Sequence, residues 1–164
     1  MAEINKLAIF GVSVMQGVLW SEEKKRYSLR QNAFEPLKER GIAIQNYARM
    51  GATVEQGLSV MERRLSQVDA QDTLVLLEYG GNDCDYNWKE VSDAPDGEHC
   101  PHVLPEAFAE SYKKAVEKVR GCGAKVAIAS IVPLDAEKYM KWISRNLNYD
   151  AILHWVGEVS MRFR

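Results

Sequence analysis

The stretch Thr73–Tyr79, TLVLLEY, is almost unbroken in its apolar character and stops at two glycines. A strand buried on one face would alternate polar and apolar residues, so a continuous run of this length suits a strand covered on both faces, as in a parallel sheet. Three more short apolar runs punctuate the chain: Lys6–Phe10 ending at Gly11, Ile42–Ala48, and Lys125–Val132 ending at Pro133. Between them the period changes to that of a helix. Asn32–Arg40 places Ala33, Phe34 and Leu37 on one face before Gly41. Met50–Thr53 opens a helix to about Gln67 with Val54, Leu58, Met61 and Leu65 toward the core. Pro105–Arg120 carries Phe108, Tyr112, Val116 and Val119 and closes at GCG. Alternation of strand and helix predicts an α/β fold, a three-layer α/β/α sandwich around a parallel sheet with right-handed crossovers.

The rest of the chain reads as connection. Ser21–Gln31, SEEKKRYSLRQ, reads as a solvated loop or helix start, and Ser92–Pro105, rich in proline and glycine, as a long loop. From about Asn148, the residues Ile152, Leu153, Trp155, Val156 and Val159 have the spacing of an amphipathic helix. The chain then stops at MRFR with no capping glycine or polar tail, the pattern of a domain cut short. At 164 residues and 46% hydrophobic, the sequence supports one core, so residues 1–164 are expected to be a single domain.

Charge narrows the function classes. A net charge of −2 with scattered basic residues offers no footprint for a nucleic-acid backbone. The start MAEINKLAIFGV lacks the features of a secretory signal, and no apolar stretch has bilayer length, so a cytoplasmic protein with no membrane span is expected. Cys84, Cys100 and Cys122 are odd in number and lack a CxxC spacing, which argues for buried or incidental thiols rather than disulfides or a zinc site. His99 and His102 flank Cys100 but have no matching ligand pair, so no metal is expected and the segment reads as a solvated or substrate-proximal loop.

In an open parallel sheet the chemistry collects beyond the carboxyl ends of the strands. Three such loops, GVSVMQG, ARMGAT and YGGND, together offer a hydroxyl (Ser13), a glycine beside a helix start (Gly51) and an amide (Asn82). That set suits acyl transfer, in which a serine attacks a carbonyl and donors already point to where the oxyanion forms. Read alone, Ser13 is a helix cap, Gly51 a turn glycine and GGND a tight turn with an Asx cap. Their joint occurrence at three successive strand ends carries the functional reading.

This arrangement resembles the SGNH-hydrolase family of GDSL esterases and lipases over nearly the whole chain. It is carried by Ser13 just past the first strand, by Asn46, Ala48, Gly51, Ala52 and Thr53 in NYARMGAT, and by Gly80, Asn82 and Asp83 in GGND. The resemblance implies a flavodoxin-like SGNH-hydrolase fold and hydrolysis of a small-molecule carboxylic ester without a cofactor. Ser13 would be the nucleophile, and the N–H groups of Ser13 and Gly51 with the Asn82 amide would form the oxyanion hole. Gly80 and Gly81 would admit substrate to the backbone, and Asp83 would tie loops together.

Two departures stand against it. Val12 occupies the position where the family usually has a loop-organising aspartate, and the family's C-terminal Asp-x-x-His segment is absent. The chain therefore reads as the N-terminal portion of such a domain, C-terminally truncated, with its acid and base expected downstream of Arg164. His154, four residues after Asp150, has the wrong spacing for that segment and remains a base candidate whose other role is surface or capping duty. Trp88, Trp142 and Trp155 read as core or loop packing, although Trp88 is near enough in sequence to the site to line an acyl pocket. An uncovered sheet edge favours a homo-oligomer. A catalytically inactive fragment or a binding module that keeps the oxyanion pocket is the alternative. A flavodoxin-like cofactor binder lacks its phosphate loop.

Overall fold

The computed structural model describes residues 4–157. Four parallel strands form one sheet: β1 (Lys6–Gly11), β4 (Ala43–Asn46), β5 (Thr73–Glu78) and β6 (Lys125–Ile128), in the order β4-β1-β5-β6. A separate antiparallel pair, β2 (Val18–Ser21) and β3 (Arg26–Leu29), follows the first strand. The helices are α1 (Ser13–Gln16), α2 (Glu35–Lys38), α3 (Val54–Arg64), α4 (Trp88–Asp93), α5 (Pro105–Gly121), α6 (Ala136–Ile143) and α7 (Tyr149–Val156).

The α/β expectation holds: a parallel sheet flanked by helices. β1 and β5 are central, paired from Lys6↔Thr73 to Gly11↔Glu78, and Ala8, Phe10, Val75 and Leu77 point to one face. Against that face α3 sets Val54, Val60 and Met61, and α5 sets Ala115 and Val119. α3 starts where Thr53 and Gln56 complete a capping box, each side chain bonded to the other residue's backbone N–H. A second cluster, Val91, Met140, Ile143, Ile152 and Val156, joins α4, α6 and α7.

Several local expectations fail, each for a physical reason. The charged segment 21–31 is not a solvated loop. Its tyrosine and leucine extend into β3, and the Glu22–Lys25 charges sit at the hairpin turn, where Lys25 takes φ 47°. The helix expected over 32–40 is a single turn, α2, and the strand expected to Val132 stops at Ile128. The 92–105 loop begins later, because Asn87 caps α4 through Glu90 N–H. α6 was not expected at all, although Asp135 caps it through Lys138 N–H and Met140 and Ile143 have core spacing. α7 does end at a glycine, Gly157, with φ 74°. Val159 and the MRFR ending lie outside the described residues. All three cysteines are free and exposed rather than buried.

Among the described residues no helix is long and apolar enough to cross a membrane.

Candidate active site

The carboxyl ends of β1, β4 and β5 deliver three loops to one place. Ser13 is the first residue of α1, a single turn that ends at Gly17 with φ 96°. Gly51 follows β4 in a turn with φ 70°, a left-handed conformation that favours glycine. Asn82 lies in the turn after β5, closed by a Cys84 N–H donating to Gly80 C=O at 2.9 Å. Ser13, Gly51 and Asn82 all line one open cleft of about 550 Å³.

Polar side chains bind these loops to one another through their backbones. Asn46 Nδ2 donates to Met15 C=O at 2.7 Å, and its Oδ1 accepts from Ala48 N–H at 3.0 Å, so it joins the first loop to the second. Asn82 Nδ2 donates to Ala52 C=O at 2.9 Å, joining the third loop to the second. Asp83, 2% exposed, accepts from Val54 N–H at 2.8 Å and from Gly80 N–H at 2.9 Å. It thereby clamps the start of α3 to the end of β5, where a carboxylate also complements the helix dipole. Burial pushes the Asp83 carboxyl above its ordinary range, although both backbone bonds pull it down.

Donors remain for a ligand. The N–H groups of Ser13 and Gly51 have no hydrogen-bond partner among the described residues, and Asn82 Nδ2 has a second hydrogen beyond the one given to Ala52. Ser13 Oγ makes no hydrogen bond among the described residues either.

The walls of the cleft come from elements that sequence reasoning missed. Val18, Arg26, Tyr27, Ser28 and Leu29 of the β2–β3 hairpin line it, together with Met50 and Trp142. Tyr27 meets Trp142 edge-on with centroids 5.7 Å apart, and Arg145 Cζ sits over the Trp142 ring, 3.8 Å from its centroid. Trp142, expected as packing, is thus a wall. Trp88, read as packing with an acyl-pocket wall as the alternative, packs among Tyr86, Tyr139 and Trp155 and is not among the lining residues. The alternation of Arg26-Tyr27-Ser28-Leu29 was the available signal for the hairpin, but its turn lacks the Asn-Gly or Asp-Gly that marks one.

No histidine lines the cleft among the described residues. His154 lies on α7 and pairs with Asp96 at 2.9 Å, with both side chains largely exposed. His99 Nε2 contacts Ala94 C=O at 2.9 Å. His102 comes closest to the site by linkage: its Nδ1 contacts the backbone carbonyl of Asn82 at 3.0 Å, while Val103 N–H donates to Asp83 C=O. The loop before α5 thus buttresses the GGND turn from outside. Gly80, φ 131°, approaches Ile131, and Gly81 stands in open space.

No protein-family model matches the chain. No curated protein matches it. Solved structures do. A lipase/acylhydrolase from Enterococcus faecalis superposes with a TM-score of 0.53 at 17% identity, covering 96% of this chain and 70% of that one. TesA gives 0.52 at 20% identity, covering 94% and 72%. AlinE4, a SGNH-hydrolase family esterase, gives 0.52 at 17% identity, covering 96% and 82%. At such identities the likeness is one of architecture, and on that architecture the chain has the fold of the SGNH hydrolases.

Proposed function

We propose that this protein is a serine-dependent hydrolase of carboxylic esters. The carrying observation is the convergence in one cleft of the Ser13 hydroxyl, the Asn82 amide and the N–H groups of Ser13 and Gly51, which have no partner among the described residues. Ser13 Oγ attacks the ester carbonyl carbon while its proton passes to a base, and the carbonyl oxygen becomes an oxyanion held by those three donors. Collapse expels the alcohol and leaves an acyl enzyme, which water hydrolyses by the same route. In this reading Asp83 holds the loops and does not move protons.

The reading treats residues 1–164 as one SGNH-hydrolase-like domain, and it requires a base that the described lining residues do not supply. That base comes from chain beyond the described residues or from another protomer. The absence of a histidine from the described cleft supports the second reading, a module that binds esters without turning them over. Intact mass after treatment with a fluorophosphonate separates the two. An esterase gains a single adduct that Ser13→Ala abolishes. A folded protein that gains none is the binding module.

A further inference from the structure

Glu78 is the last residue of β5, paired in register with Gly11 of β1, and the residue is 3% exposed. No lysine, arginine or histidine pairs with it among the described residues. A buried carboxyl without a counter-ion is costly, so what it touches is informative. Its Oε2 accepts a hydrogen bond from the backbone N–H of Val12 at 3.3 Å. Val12 stands immediately before Ser13 at the N-cap of α1, where its apolar side chain makes no capping bond. Serine, threonine, aspartate or asparagine at such a position would organise the turn from within, and valine cannot.

We infer that Glu78 is the positioning residue of the Ser13 loop: from the neighbouring strand it holds the Val12 N–H and so fixes the direction of the next peptide, whose N–H and hydroxyl belong to Ser13. This rests on the reading of Ser13 as the nucleophile. One peptide separates the anchored N–H from the N–H that would face an oxyanion, and a displacement of about 1 Å at such a point can cost about 10²-fold in rate. The anchor also titrates. Burial pushes the Glu78 carboxyl above its ordinary range, the Val12 N–H pulls it down, and the Asp83 carboxylate pushes it up. The other titratable groups that feel its charge are Tyr79 on the same strand end and Tyr112 on α5.

The test uses Glu78→Gln, which keeps an acceptor oxygen without the charge, and Glu78→Met, which keeps the approximate size without an acceptor. Amide NMR of Val12 and fluorophosphonate labelling of Ser13 are read across pH on the full chain, with circular dichroism as the fold control. In the unsubstituted protein the Val12 amide proton shift moves with a carboxyl titration, and Glu78→Gln removes that movement. Glu78→Met lowers the exchange protection of the Val12 amide at least tenfold and slows labelling by about 10- to 10²-fold. Glu78→Gln restores labelling to within a few-fold and flattens its pH dependence. A Val12 shift indifferent to pH, or a folded Glu78→Met protein with unchanged Val12 protection and labelling, overturns the inference. If the Val12 amide behaves as described but no protein is labelled, the anchor stands and the esterase reading falls.

Discussion

Asp83→Ala removes the acceptor of two buried N–H groups at once, and its cost can be worked from the geometry. Oδ1 serves Val54 N–H and Oδ2 serves Gly80 N–H. Both residues are buried, and Val54 is fully so. Each buried donor left without a partner costs about 1–3 kcal/mol, which gives about 2–6 for the pair. Part is recovered, because the raised pKa says that desolvation of the carboxylate outweighs what the two bonds give the ionised form. A net loss of about 2–4 kcal/mol follows. Asp83→Asn offers one acceptor oxygen and turns an NH2 group toward the other donor, so about 1–3 kcal/mol is expected from the single orphaned group. Urea unfolding measures both. The midpoints should fall in the order wild type, Asn, Ala with the slope against denaturant unchanged. A midpoint for Asp83→Ala within error of wild type would refute the clamp.

Other outcomes follow from single features. Gly57 of α3 lies against the Tyr79 ring, and a methyl group there would overlap the Cζ and hydroxyl of Tyr79; Gly57→Ala should cost about 1–3 kcal/mol in a thermal melt. Gly121, at the end of α5 with open space around it, should accept alanine with a gain of about 0.4–1 kcal/mol. Arg26 is the one charged residue among those lining the cleft, which no carboxylate lines among the described residues. On the proposed esterase reading, esters bearing an anionic acyl group should therefore be favoured over cationic ones, and Arg26→Gln should narrow the ratio of kcat/KM values by about 2- to 5-fold, the scale of an exposed charge pair. Glu78 has a folded pKa above its unfolded one, so the stability it contributes is fully present below the unfolded pKa and is lost as pH rises through the folded pKa. Glu78→Gln should thus gain urea resistance relative to wild type as pH rises above the ordinary glutamate pKa of about 4, and a gap that does not change with pH would contradict this.

What was legible in the sequence was what the backbone dictates locally. β5 was readable because its apolar run sits between β1 and β6 with Val75 and Leu77 buried and Leu74 and Leu76 half-buried on the other face, and α3 because Thr53, Gln56 and the spacing of Val54 and Met61 agree. Ser13, Gly51 and Asn82 could be singled out because each follows a strand end in a parallel sheet, and the structure brings them to one cleft. The walls were illegible. The hairpin pairs Trp20 with Tyr27 across strands, a long-range condition that a charged 11-residue window conceals. Trp142 reaches the cleft only because α6 forms, and α6 is held by Met140 and Ile143 packing with residues of α4 and α7. Glu78 looked like one polar residue in an apolar run. Its meaning depends on the register that sets it opposite Gly11, one residue before Val12.

The four anchors share a design. Asn46, Glu78, Asn82 and Asp83 each reach from one strand-end loop to the backbone of another, and none of them does so through a second side chain. Backbone groups cannot swing to new rotamers, so donors fixed in this way are pre-organised before a ligand arrives, which is where electrostatic stabilisation of a developing charge has its largest effect. The walls are built the other way. Tyr27 and Trp142 meet through ring edges at the surface, with Tyr27 54% exposed and Trp142 42% exposed. Few buried contacts hold them, and elements of that kind occupy the low-stability end of a structure. The floor of the cleft is therefore fixed by hydrogen bonds to the main chain, while its walls can adjust to the ligand. On the proposed esterase reading, substitutions in the hairpin and at Trp142 should change which ester is accepted, and those at the four anchors should change how fast any ester reacts.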